Sequence, residues 1–83
     1  MTEKKLLNLN IARVDASIFS GDVVSVTVPG SEGEMTLMAD HEAIISALKE
    51  GVITYRLSDG TSQTVPLTTG TLELRDNVAT ILI

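Results

Sequence analysis

His41 is the only histidine in the sequence and cysteine is absent, so any imidazole-assisted nucleophilic chemistry must run through this one ring. It stands between Asp40 and Glu42, carboxylates of the kind that orient an imidazole, but no Gly-x-Ser-x-Gly elbow supplies a nucleophile for it to activate. His41 therefore reads as a hydrogen-bonded loop or interface residue. Asp40, His41 and Glu42 with Glu34 also offer metal donor atoms, yet their spacing follows no zinc or calcium pattern, and no metal is expected. The second cluster is Gly30-Ser31-Glu32-Gly33-Glu34. It has the look of a phosphate-cradling loop, but it lacks the Gly-Lys-Ser/Thr ending and its two carboxylates would repel phosphate. Glu32 and Glu34 are the residue type for paired acid and base chemistry; on a polar turn with no pocket-lining neighbour they read as solvated charges. Phe19 and Tyr55 are the only aromatic residues and lie far apart in sequence, which removes the stacking platforms used on bases and sugars. The expectation is a protein with no catalytic residue and no cofactor, whose function lies in a surface.

Such a surface needs a folded support. A chain of 83 residues supports one core and one domain, because chains this short bury only about 60% of their unfolded surface. Its 43% hydrophobic and 20% charged residues are the balance of a globular domain and not of a disordered one. Without cysteine, packing alone must hold the fold. The net charge is −5, opposite to what phosphate backbones and anionic lipid surfaces attract, so nucleic acid is not an expected partner. The acidity is concentrated in residues 15–50, where Asp15, Asp22, Glu32, Glu34, Asp40, Glu42 and Glu50 face a single cation, Lys49; a basic or polar protein partner suits that stretch. No apolar run approaches the roughly 20 residues that span a bilayer, and the alternating start Leu6-Leu7-Asn8-Leu9-Asn10-Ile11 is unlike a signal peptide, so a cytosolic, unprocessed chain without membrane insertion is expected.

Val, Ile and Thr make up 25 of the 83 residues, and their branched Cβ atoms favour sheet. Leu7, Leu9 and Ile11 alternate with Asn8, Asn10 and Ala12, giving a half-buried strand over about residues 6–13. A short apolar piece at 17–20 precedes Gly21, after which Val24, Val26 and Val28 are expected on one face of a second strand ending at Pro29-Gly30. Residues 31–34 form a polar loop into a strand at 35–38. Asp40 is placed to cap a helix over 41–49, with Ile44, Ile45 and Leu48 on one side and Gly51 closing it, though nine residues are too few for an isolated helix and a single loose turn fits as well. Strands at 52–57 and 61–67 flank Asp59-Gly60, a tight-turn pair, and Pro66 belongs at an edge. A last hairpin turns at Asp76-Asn77, and its second strand, 78–83, is apolar enough on both faces to be central or covered.

The order Phe19-Ser20-Gly21, Val24-x-Val26-Thr27-Val28-Pro29-Gly30-Ser31-Glu32-Gly33-Glu34-Met35, His41, Ala47-Leu48-Lys49-x-Gly51, Gly70-x-Leu72-Glu73-Leu74, Asn77 and Ala79-Thr80-Ile81-Leu82 resembles the N-terminal domain of the epsilon subunit of rotary ATP synthases. The resemblance covers nearly the whole chain and is carried by serial order more than by any one piece. It implies an all-β fold, a flattened antiparallel β-sandwich of about ten short strands, in a single domain over residues 1–83; the residue pattern itself leaves room for one helical turn near 42–49. It also implies a non-catalytic subunit of the central stalk, which locks the gamma subunit to the membrane c-ring so that ion-driven rotation drives ATP synthesis. The location would be peripheral, on the cytoplasmic face of the energy-coupling membrane or its organellar equivalent. By position, Ser31, Glu32, Gly33 and Glu34 would face the polar loops of the c-ring, with Glu34 the key contact, and His41 and Ser46 would face gamma.

Three departures from the family pattern bear on this. Ala39-Asp40 and Glu42-Ala43 stand where the family has Pro-Gly before the histidine and Ala-Pro after it, which changes the loop and its charge. Thr68-Thr69-Gly70 replaces Ser-Gly-Gly. The sequence ends at Ile83, where the family continues into a helical hairpin that binds ATP and inhibits hydrolysis, so neither activity is expected of this chain. The alternative reading is a free-standing β-sandwich interaction module unrelated to ATP synthesis, which co-purification with gamma separates from the first.

Overall fold

A computed structural model describes residues 5–83. They form nine strands: β1 (Leu7–Arg13), β2 (Ala16–Val23), β3 (Ser25–Gly30), β4 (Gly33–Met38), β5 (Ile44–Leu48), β6 (Gly51–Arg56), β7 (Ser62–Leu67), β8 (Gly70–Arg75) and β9 (Val78–Leu82). The order of hydrogen-bonded neighbours is β2-β1-β9-β8-β5-β3-β6-β7, with β4 on the other side of β3. All pairs are antiparallel except β1 with β9, which run parallel. Between the two halves the only strand pair is Gly30 with Leu48, so the sheet folds back there into two layers, β2-β1-β9-β8-β5 and β4-β3-β6-β7.

The alternation read along β1 holds, with Leu7, Leu9 and Ile11 fully buried. They meet Leu72, Leu74, Ala79 and Ile81 of the same layer and Val26, Val28, Leu37 and Ile53 of the other in one core. Phe19 and Tyr55, distant in sequence, join the layers with ring centroids 4.3 Å apart, a spacing at which tilted rings attract beyond their burial. Pro66 lies in β7, at the end of the strand path, where its missing N–H breaks no ladder. β9 is central, between β1 and β8, but only one of its faces is covered: Ala79 and Ile81 are buried while Leu82 is 53% exposed.

The expected helix over 41–49 is instead strand β5, and the nine strands among the described residues match the expected all-β sandwich of about ten. Asp40 has φ 64°, which is incompatible with the extended backbone of a helix N-cap. Ile44, Ser46 and Leu48 point inward while Ile45 is 79% exposed, a period of two that the adjacent Ile44-Ile45 pair disguises. Pairing with β8, Ile44 opposite Leu74 through Leu48 opposite Gly70, decides the outcome. The expected strand beginning at Val24 is also redrawn. Residues 16–23 form a full strand against β1, and the chain bends at Val24 as it crosses between layers. The bend shifts the alternation, so that Val23, Val26 and Val28 are buried and Val24 only half-buried.

Turn chemistry fixes the hairpins. Between β6 and β7, Gly60 (φ 94°) closes a turn in which its N–H donates to Leu57 O at 3.0 Å and Leu57 N–H to Thr61 O at 2.8 Å. Asp59 Oδ1 accepts from Thr61 N at 2.9 Å and from Thr61 Oγ1 at 2.7 Å. Between β8 and β9, Asp76 (φ 50°) and Asn77 (φ 65°) make the two-residue turn whose twist suits paired strands.

Two outcomes follow. Val26→Asp places a carboxylate in a fully buried site and is expected to unfold the domain, a loss of about 4 kcal/mol or more, seen as a collapsed sheet signal in circular dichroism. Hydrogen bonds from the Thr61 hydroxyl and then its backbone N–H hold the Asp59 carboxyl below its ordinary pKa. The unfolded chain then binds the proton more readily, so this contribution to stability is present above the ordinary carboxylate pKa and is lost as pH falls through the lower folded value. Asp59→Ala should lower stability at neutral pH and flatten the acid limb of a melting-temperature profile.

Candidate partner interface

Ser31, Glu32, Gly33 and Glu34 sit at the tip of the β3–β4 hairpin and all four are exposed. Gly30 pairs with Gly33 as the last pair before the turn, and this end of the hairpin is fastened to the other layer by Ser31 N–H to Ala47 O and by Lys49 N–H to Pro29 O, both 2.9 Å. Gly30 is required there by close approach: a Cβ would lie 2.6 Å from Gly33 O and 3.0 Å from Met35 Cε.

His41 lies at the other end of β5, exposed, in the segment between β4 and β5. Its N–H donates to Met38 O at 3.3 Å. Its Nδ1 lies 2.8 Å from Glu42 O, and because a carbonyl only accepts, Nδ1 carries the proton in this contact. Asp40 occupies a left-handed conformation (φ 64°), which Asp is one of the few residues to tolerate. Its N–H donates to Asn77 Oδ1 at 2.9 Å, and its Oδ2 accepts from Lys5 Nζ at 2.9 Å. The hydrogen bond to Asp40, with its charge second, raises the Lys5 pKa. Thr68 and Thr69, between β7 and β8, take no positive φ.

Ser46 is half-buried on the inward side of β5 and donates to Ala47 O at 3.0 Å. It stands beside the turn end of the β3–β4 hairpin, as a Cβ on Gly30 would be 3.6 Å from Ser46 Oγ. The residue β5 turns outward is Ile45, beside a shallow groove lined with Ala43, Glu73 and Arg75. Sequence reading placed Ile45 on the buried side of a helix and so missed it; an alternation count over 44–48 finds it. It also missed Asn77 as a ligand of the His41 segment, a contact no local spacing reports. Among the described residues no group of three or more His, Asp or Glu side chains gathers to hold a metal ion, and no helix is long and apolar enough to cross a membrane.

A two-layer sheet that presents a polar hairpin at one end of β5 and a histidine loop at the other is a β-sandwich domain. The chain belongs to the family described as ATP synthase, Delta/Epsilon chain, beta-sandwich domain, which matches residues 6–83. It is 40% identical over 77 residues to an ATP synthase epsilon chain of Nitratiruptor sp., covering 93% of this chain and 60% of that one. A second epsilon chain, from Wolinella succinogenes, is 41% identical over 70 residues, covering 84% and 53%. The chain thus spans little more than half the length of these curated relatives. In a cryo-EM structure of the Euglena gracilis mitochondrial ATP synthase, OSCP/F1/c-ring in rotational state 1, one chain superposes with a TM-score of 0.88 at 25% identity, over 93% of this chain and 49% of that one. A chain of the Tetrahymena thermophila mitochondrial ATP synthase central stalk and c-ring gives 0.80 at 17% identity, over 98% and 65%, a likeness of fold.

The close approach at Gly30 gives a test. Gly30→Ala pushes a methyl against backbone that cannot yield cheaply, and a loss of about 1–3 kcal/mol is expected, measured as a shift in urea midpoint with unchanged slope.

Proposed function

We propose that this chain is a non-catalytic central-stalk subunit of a rotary ATP synthase, coupling the gamma subunit to the membrane c-ring so that ion-driven rotation drives ATP synthesis. Family membership supports the assignment to the synthase, as does the Euglena neighbour, which belongs to an assembly containing F1 and c-ring. The observation that carries the two-partner reading is β5. It is a paired strand with the exposed hairpin fastened at its Leu48 end and the His41 segment leading into its Ile44 end, separated by roughly 13 Å at a rise of about 3.3 Å per residue. A strand held by a neighbour on the β8 side resists bending, so force applied at one loop is delivered at the other.

In this reading Ser31, Glu32, Gly33 and Glu34 meet the c-ring and His41 and Ser46 belong to the gamma side, with Ile45 the exposed apolar group beside them. The domain works peripherally on the cytoplasmic side of the coupling membrane or its organellar equivalent. Glu34 is the contact of most consequence, because a carboxylate meeting an arginine or backbone N–H away from water gains more than an exposed pair, less the desolvation it suffers.

Glu34→Lys reverses that charge on an exposed residue. Assembled into the synthase, it should reduce ATP-driven ion pumping at unchanged hydrolysis, with stability of the isolated chain within about 0.5 kcal/mol of the parent. Full coupling at both low and high salt overturns the c-ring contact; failure of the parent chain to co-purify with gamma overturns the assignment and favours a free-standing module.

A further inference from the structure

Two separate segments converge on the side chain of Asn77 in the β8–β9 turn. Its Nδ2 donates to Leu6 O at 2.8 Å, at the start of β1, and its Oδ1 accepts the N–H of Asp40 at 2.9 Å. Its own carbonyl accepts from Asn8 N–H at 3.1 Å. The carboxamide is half-buried and uses both of its ends. The Lys5–Asp40 pair adds to the same junction, but both side chains are mostly exposed, 77% and 61%, and an exposed pair holds little by itself. Asp40 needs support, because its left-handed backbone is a conformation most L-residues resist.

We infer that Asn77 is a positioning residue for the partner contact: its carboxamide locks the His41 segment to the β8–β9 turn and to the start of β1, so that His41 is presented in one fixed orientation. The inference rests on the reading that His41 faces gamma. Presenting a preordered loop spares the ordering entropy that binding would otherwise have to overcome.

The test uses the full chain with Asn77→Gly, Asn77→Asp and His41→Ala. Glycine keeps the positive φ of the turn and removes both side-chain bonds. Aspartate keeps the acceptor for Asp40 N–H and removes the donor to Leu6 O. Amide hydrogen exchange of Asp40 and His41, melting temperature, and calorimetric affinity for the gamma subunit of the same organism are measured for each. Asn77→Gly should speed exchange at Asp40 and His41 by about tenfold, the scale of one net hydrogen bond, leave Leu72 and Ile81 protected, and weaken gamma binding several-fold. Asn77→Asp should fall between glycine and the parent, and it carries the comparison if the glycine variant does not fold. Unchanged exchange at Asp40 overturns the clamp. Faster exchange throughout β8 and β9, in step with a lower melting temperature, reduces Asn77 to a turn residue and overturns positioning. If exchange quickens locally while affinity holds and His41→Ala still weakens binding, positioning is wrong and the gamma-facing reading stands. If neither the Asn77 variants nor His41→Ala alters affinity, the gamma-facing reading fails and takes the inference with it.

Discussion

The fold turns on the approach of Gly30 to Leu48. One long stretch of chain, β5 and then β6, passes along β3 and changes layers as it goes: β5 pairs with β8 on one side of the sandwich and β6 with β7 on the other. Backbone hydrogen bonds from Ser31 to Ala47 and from Lys49 to Pro29 keep the corner closed. The hairpin can reach the corner because Gly30 has no Cβ to strike Gly33 O. Open the corner and Val26, Val28 and Leu37 lose the apolar partners they share with Leu72, Leu74 and Ile81, and burial of such side chains is what stabilises a chain without disulfides.

Features set by neighbouring residues were legible before any coordinates. Asp59-Gly60 and Asp76-Asn77 announce their turns through the positive φ each demands, the alternation of Leu7, Leu9 and Ile11 announces its buried face, and Pro66 announces an edge. Features set by distant partners were not. Ile44, Ile45 and Leu48 satisfy a helical spacing, and only the β8 strand, far along the chain, makes them a strand. The parallel pairing of β1 with β9 has no local signature, because the residues joining them are nearly the whole sequence. The exposed hairpin tip could be read from its polarity, and its attachment to β5 could not. His41 could be singled out by residue type, whereas its support by Asn77 depends on a side-chain contact between segments 37 residues apart.

The two ends of β5 are built on opposite principles, and this bears on how the domain would transmit force. The hairpin end relies on glycines, Gly30 for close approach and Gly33 for its left-handed backbone (φ 139°), so its shape comes from the absence of side chains. The His41 end relies on side chains. Among the described residues the non-glycine positive-φ residues are Asp40, Asp76 and Asn77; Asp76 and Asn77 are neighbours, and Asn77 is hydrogen-bonded to Asp40, so the strained backbone is gathered at one place and held by one carboxamide. A glycine at position 40 would adopt the same φ without strain but would leave Lys5 without its carboxylate partner. Exchanging glycine for aspartate therefore trades a relaxed loop for one tied to the start of β1. A loop tied both to the β8–β9 turn and to Lys5 ahead of β1 could pass a load into β5 without first taking up slack, as the proposed coupling role would need.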